Sequence, residues 1–158
     1  MSHSERDAAK HMRREARNAR NNVAQIFDDA VAFVDNIVRS ESERSARKLA
    51  NDIRRGNLKV KPNAPEYAAM KRRTGQSRHP LIGHGAYANS IRAFRTGDMQ
   101  WAVGVKAGRH PSGIPFERLM RILEAGTTDG IPARPHFRQA EKVARKRLRG
   151  RLRKANVI

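Results

Sequence analysis

Six histidines stand at positions 3, 11, 79, 84, 110 and 136. No two are spaced i, i+4, which would set a zinc-binding pair on one helix face. His79 and His84 flank a Pro-containing turn, a poor frame for a metal. Gly83-His84-Gly85 has two glycines of a phosphate-cradling loop, but it lacks the third and precedes a strand-like run rather than a helix. His84, Ser90 and Asp98 supply the residue types of a hydrolase triad, yet no G-x-S-x-G elbow raises Ser90 into reach of a substrate. Asp28-Asp29 and the Glu41/Glu43 set fall on a helix predicted to be exposed, where carboxylates serve as ion-pair or dipole partners rather than glycosidase acids. There is no cysteine, so disulfides, thiolate zinc sites and Cys nucleophiles are excluded. The sequence therefore predicts no catalytic residue, no metal site and no cofactor.

The chemistry that remains is cationic. Lys and Arg number 34 against 15 Asp and Glu, a net charge of +19. Such a field favours polyanions: nucleic acid, an acidic protein surface or anionic lipid. The excess is uneven, because residues 141–158 hold eight basic residues and one acid, over a third of the net charge. Arg145, Lys146, Arg149, Arg153 and Lys154 are the candidates there for contact with DNA or an acidic partner. Lys71-Arg72-Arg73 reads as a solvated loop cluster. One Trp and two Tyr give little aromatic interleaving for stacking single strands, and no zinc-finger or RNA-recognition spacing is present. Sequence-specific reading of bases is not expected.

Around these residues the patterning predicts an α+β domain. Residues 1–56 form a helical segment. Val23, Ile26, Phe27, Ala30, Val34, Ile37 and Val38 recur at three and four, and Leu49 and Ile53 continue the helix until Gly56 stops it. Ser40 with Glu43 reads as a capping box that could start a second helix, so a long helix with a break near Ser40 is preferred to one unbroken rod. The first twenty residues carry no apolar stripe and are free to fray or to dock on a partner. A helix this long outruns what a small core covers, and with 38% apolar and 5% aromatic residues the core is small; both point to neighbouring subunits.

Residues 57–140 form the α+β core, around a hairpin at 88–106. Met99, Trp101, Val103 and Val105 alternate with Gln100, Ala102 and Gly104, Thr96-Gly97-Asp98 makes the turn with Gly97 supplying positive φ, and Ala88 to Arg95 precedes it as a strand. Trp101 is expected in the core. Leu58 to Pro80 reads as irregular and Gly108 to Gly113 as a loop. Pro115 then opens a helix with Phe116, Leu119, Met120 and Leu123 on one face, ended by Gly126. Thr127 to Pro135 is an extended, Pro-stiffened link. A last helix from about His136 carries the stripe Phe137, Ala140, Ala144, Leu148 and Leu152 and runs into the basic end, 141–158. No apolar run approaches the ~20 residues of a membrane span. The N-terminus MSHSERDAAK lacks a signal-peptide core, so a soluble protein made in a cytoplasm is expected.

Two motifs, in this order, carry a family resemblance. Pro80-Leu81-Ile82-Gly83-His84-Gly85-Ala86-Tyr87-Ala88-Asn89-Ser90-Ile91, with a strand ending Val103-Gly104-Val105, resembles a pattern of bacteriophage neck and tail-completion proteins. Leu123-Glu124-Ala125-Gly126-Thr127, followed by Ile131 to Ala140 (IPARPHFRQA), is similar to the family's Glu-x-Gly-Thr and Pro-Ala-Arg-Pro-Phe with a closing helix. His84 stands where Thr or Asp is usual, and His136 adds a residue before Phe137. The resemblance spans about Pro80 to Ala140. It implies a virion structural protein of the neck, a head–tail joining or tail-completion component of a long-tailed phage, assembled in the host cytoplasm. It also implies a self-assembled ring of roughly six or twelve copies, lying against connector, head-closure, terminator or tail-tube proteins, without catalytic residues. Subunit contacts would fall on Glu124, Gly126, Thr127, Arg134, Pro135 and Phe137. A cationic lining suits a ring that DNA passes through, since Lys and Arg neutralise phosphates without reading sequence. Composition alone favours a different class, a basic protein that coats duplex DNA non-specifically.

Overall fold

The computed structural model describes residues 3–75, 85–128 and 131–158, with side chains from residue 10 onward. Its elements run α1 (His3–Arg55), α2 (Pro65–Arg73), α3 (Ala86–Ser90), β1 (Ile91–Gly97), β2 (Gln100–Val105), α4 (Phe116–Ala125) and α5 (His136–Lys154). The fold is mixed helix and strand: a long N-terminal helix, a two-stranded antiparallel sheet, short helices and a C-terminal helix.

α1 is unbroken over 53 residues. Ser40 starts no second helix; its hydroxyl donates back to the Ile37 carbonyl at 3.0 Å, and Glu43 pairs with Arg39. Gly56 does end it, at φ 68. Its N–H donates to the Ile53 carbonyl and the Asn57 N–H to the Asp52 carbonyl, the two bonds of a Schellman end. Only the C-terminal part of α1 is covered. Ile37, Glu41, Ser45, Ala46, Leu49, Ala50 and Ile53 are buried. From residue 10 to residue 30 every side chain is exposed. At about 1.5 Å per residue, that arm is roughly 30 Å long.

The covered face of α1 packs against α3, the hairpin and α5. Ala46, Leu49, Ala50 and Ile53 form one cluster with Tyr87, Ala88, Ile91, Phe116 and Leu123. β1 and β2 pair from Ile91↔Val105 to Arg95↔Trp101, with an irregularity between Arg95 and Gly97. The strand begins at Ile91, not Ala88, because Ala86–Ser90 closes a helical turn in which the Ser90 hydroxyl donates to the Tyr87 carbonyl at 2.6 Å. The left-handed residue of the hairpin is Met99, at φ 53, rather than Gly97, which pairs with Gln100. Trp101 is half-buried, and its indole N–H donates to the Asp35 carboxylate of α1 at 3.1 Å.

The stretch 58–80, expected to be irregular, contains α2. Pro65 opens it, Glu66 lies in its first turn and Lys71-Arg72-Arg73 in its last, the charge order a helix dipole favours. The basic cluster is therefore a helix end, with Lys71 buried and Arg72 and Arg73 exposed. Residues 76–84, which include His79, His84 and the Pro80 to His84 part of the first motif, lie outside the described residues. α4 starts at Phe116 with Pro115 as its cap, and α5 starts at His136. Among the described residues no helix is long and apolar enough to cross a membrane.

Candidate functional site

The second motif folds into a closed corner between α4 and α5. Gly126 caps α4 at φ 78, and its N–H donates to the Ile122 carbonyl at 2.8 Å. A Cβ at this position would stand 2.6 Å from the Ile131 carbonyl oxygen and 2.8 Å from the Ala133 nitrogen, so glycine is required on two counts. Thr127 clamps the return of the chain: its N–H donates to the Ile131 carbonyl at 2.9 Å, and its hydroxyl accepts from the Ile131 N–H at 3.2 Å. The Pro-rich link is therefore pinned between Thr127 and Ile131. The Arg134 N–H donates to the Leu123 carbonyl at 2.7 Å, joining the link to the end of α4.

Two buried side chains fix the corner to the rest of the fold. Arg134, 5% exposed, donates to the Lys61 and Pro62 carbonyls and to Asn63 Oδ1. His136 is fully buried. Its Nδ1 faces two acceptors, the Arg134 carbonyl at 2.7 Å and the Glu124 carboxylate at 3.0 Å, and so carries the proton. Its Nε2 is then the acceptor for the Tyr87 hydroxyl at 2.7 Å. Glu124 also accepts the Phe137 N–H at 2.6 Å, which satisfies a free donor in the first turn of α5.

Burial holds the His136 imidazole below its ordinary pKa, outweighing the Arg134 carbonyl and the Glu124 charge, which both raise it. Burial, and then the Glu124 charge, pushes the Tyr87 phenol well above its usual range. Arg134 is lowered by burial, and Lys71 is lowered by burial and then by the Arg134 charge. Tyr87, His136 and Glu124 thus form a satisfied chain of hydrogen bonds that ties α3, α4 and α5 together.

A cleft of about 570 Å³ opens beside this corner, between α1, β2 and α5. Its walls include Val38, Trp101, Val103, Phe137, Ala144 and Leu148. On the α1 side stand Glu41, 2% exposed, and Ser45, 6% exposed. Both Glu41 carboxylate oxygens and the Ser45 hydroxyl lack a hydrogen-bond partner among the described residues. The nearest cation is the Arg151 guanidinium, 3.6 Å away, which instead donates to Ser40 Oγ at 2.7 Å. A buried carboxylate without donors is costly, so the cleft is the polar imperfection of this fold.

The cationic candidates lie on the exposed surface of α5, with Arg145 at the rim of the cleft. Arg145, Lys146, Arg149, Arg153 and Lys154 are all exposed, and Arg145, Arg149 and Arg153 share a stripe at i, i+4, i+8. Arg145 pairs with Glu141 at 2.7 Å; among the described residues the other four have no ion pair. The residues expected at subunit contacts fall differently. Glu124, Gly126, Thr127 and Arg134 hold the corner together within one chain. Pro135 is half-buried ahead of α5, and Phe137 is half-buried in the cleft wall. Sequence reasoning missed Tyr87, His136 and Glu41. The i, i+4, i+8, i+12 series Ile37, Glu41, Ser45, Leu49 did place Glu41 on the buried face of α1. Nothing matches this chain among family models, curated proteins or solved structures.

Proposed function

We infer that this chain is a structural component of a bacteriophage neck, a tail-completion or head–tail joining protein whose copies close into a ring around the DNA path. Its work is assembly rather than catalysis. The reading draws on the resemblance of Pro80 to Ala140 to that family. One observation carries it furthest: residues 10–30 of α1 are exposed on all sides, with Val23, Ile26 and Phe27 at 66%, 68% and 70%. An apolar row of this kind on a helix detached from its own core is surface prepared for another molecule. The α5 stripe of Arg145, Arg149 and Arg153 supplies a cationic face for the lumen or for an acidic neighbouring ring. The assembled site would be the virion neck, reached from the host cytoplasm.

The test is the mass of the purified protein in 0.5 M salt, where charge-driven association is largely screened. A discrete ring is expected. A chain that stays monomeric at tens of micromolar, alone and with the phage's other neck proteins, overturns the reading.

The same α5 stripe favours a second reading, a protein that coats duplex DNA without reading its sequence. The salt dependence of DNA binding separates the two. A coating protein loses roughly 0.9 from the log–log salt slope for each phosphate contact removed, so Arg145→Gln, Arg149→Gln and Arg153→Gln together would flatten it by about 2–3. A neck ring shows modest DNA affinity and a shallow slope from the start.

A further inference from the structure

The fold has two unfinished surfaces, and they are complementary. One is the exposed row on the α1 arm: Val23, Ile26, Phe27 and Ala30, with Arg20 one turn earlier on the same face. The other is the cleft, walled by Trp101, Val103, Phe137 and Leu148 and holding Glu41 and Ser45, whose side-chain oxygens accept no hydrogen bond among the described residues; Arg151 stands 3.6 Å from Glu41. Charge matches as well as shape. In a chain of net charge +19, the ionisable residues lining the cleft are three acids, Glu41, Glu124 and Glu141, and two bases, Arg138 and Arg145, with Arg151 3.6 Å from Glu41 at its edge, so the cleft is far less basic than the chain as a whole. Residues 10–20 of the arm carry Lys10, Arg13, Arg14, Arg17 and Arg20 against Glu15 alone. The arm cannot serve its own cleft. α1 is continuous, so Arg20 and Glu41 of one chain are held apart by about 30 Å of helix.

We propose that the cleft between α1, β2 and α5 receives the α1 arm of a second copy of this chain. Val23, Ile26 and Phe27 pack on its apolar wall, and Arg20 donates to Glu41. This deepens the assembly reading above and rests on it. The contact joins two different surfaces, so each copy offers an arm and accepts one, the arrangement that closes rings when the rotation permits. It also resolves the buried carboxylate: Glu41 gains a guanidinium able to donate two hydrogen bonds, and Ser45 gains a neighbour.

The chain has no cysteine, which makes a crosslinking test clean. Phe27→Cys is combined with Ala144→Cys, and the full-length protein is oxidised at 0.5 M salt, then separated without reductant. A ladder of covalent oligomers is expected, since one chain cannot bring its own pair together. Dimers alone would keep the docking but overturn the ring, because two arms exchanged about a two-fold axis produce nothing larger. Monomer alone overturns the docking. The triple change Val23→Ser, Ile26→Ser and Phe27→Ser touches only exposed side chains, so folding is untouched. It should weaken association at least about 100-fold. Glu41→Arg should weaken it about tenfold or more, and Arg20→Glu in the same chain should recover most of that loss. Defined rings of unchanged mass and affinity in these variants would refute the docking while leaving the assembly reading intact. A wild-type chain monomeric throughout would remove both.

Discussion

Glu41, buried, and Glu124, half-buried, both line the cleft and have opposite surroundings. Glu124 accepts from the Phe137 N–H and the His136 ring, so its charge is met within the chain. Glu41 is more deeply buried, yet its carboxylate accepts no hydrogen bond among the described residues and meets only the Arg151 guanidinium at 3.6 Å. The first belongs to a corner that is finished when one chain folds. The second belongs to a cleft whose polar needs are left open. The contrast separates what a single copy must do to be stable from what it keeps available.

The sharpest way to test the closed corner is Gly126→Ala. The added Cβ meets backbone on two sides at positive φ, so a loss of roughly 2–4 kcal/mol is expected, read as a lower urea midpoint. Glu124→Leu should cost about 2–3 kcal/mol, because it leaves the Phe137 N–H and the His136 ring without their carboxylate. A cost below about 0.5 kcal/mol for either would break the account of the corner.

His136 adds a pH signature. Its folded pKa is depressed, so below the ordinary imidazole value of about 6.5 the unfolded chain takes up a proton that the folded chain refuses. Stability therefore falls as pH drops below that value and is fully present above it. His136→Asn keeps a donor near Nδ1 but cannot titrate. Its stability, lower overall, should lose most of this pH dependence in thermal melts between pH 7 and pH 5.

The open cleft should answer in the other direction. Glu41→Leu, measured at a dilution where the chain is monomeric, should be neutral or stabilising by up to about 1 kcal/mol, since it removes a desolvated charge that accepts no hydrogen bond and leaves its one cation, the half-exposed Arg151, free to turn to water. A loss as large as that for Glu124→Leu would erase the comparison. The exposed Arg121–Glu117 pair on α4 serves as the baseline, with Arg121→Ala costing no more than about 0.5 kcal/mol.

Much of this fold is legible in the sequence where local rules act alone. Gly56 and Gly126 end helices because only a residue at ease in the left-handed region closes those turns. The alternation of Trp101, Val103 and Val105 gives the second strand. α2 is obscured by the prolines around it, although Pro65 is its first residue and Glu66 and Lys71 sit at the ends its dipole favours. α3 replaces the start of a strand because Ser90 closes a local turn that competes with the ladder. The site is less legible. Glu124 and Arg134 can be singled out from the motif, but their partners are long-range. Arg134 reaches 73 positions back to Lys61 and His136 reaches 49 back to Tyr87. No spacing rule links residues so far apart. The alternating glycines, prolines and small residues of 123–140 look like a surface for a neighbour, and within one chain they are the hinge pin of α4 on α5.

The unbroken α1 has a mechanical consequence. A rod that is clamped from Ile37 to Ile53, more than four turns, and free for roughly 30 Å beyond, behaves as a stiff cantilever. A rotation of the clamped body by roughly 10° would sweep the free tip sideways by about 5 Å, close to the rise of one helical turn. Small reorientations of the compact body are thereby magnified at a distance, and the continuous hydrogen-bond ladder through Ser40 is what keeps that gearing from going slack.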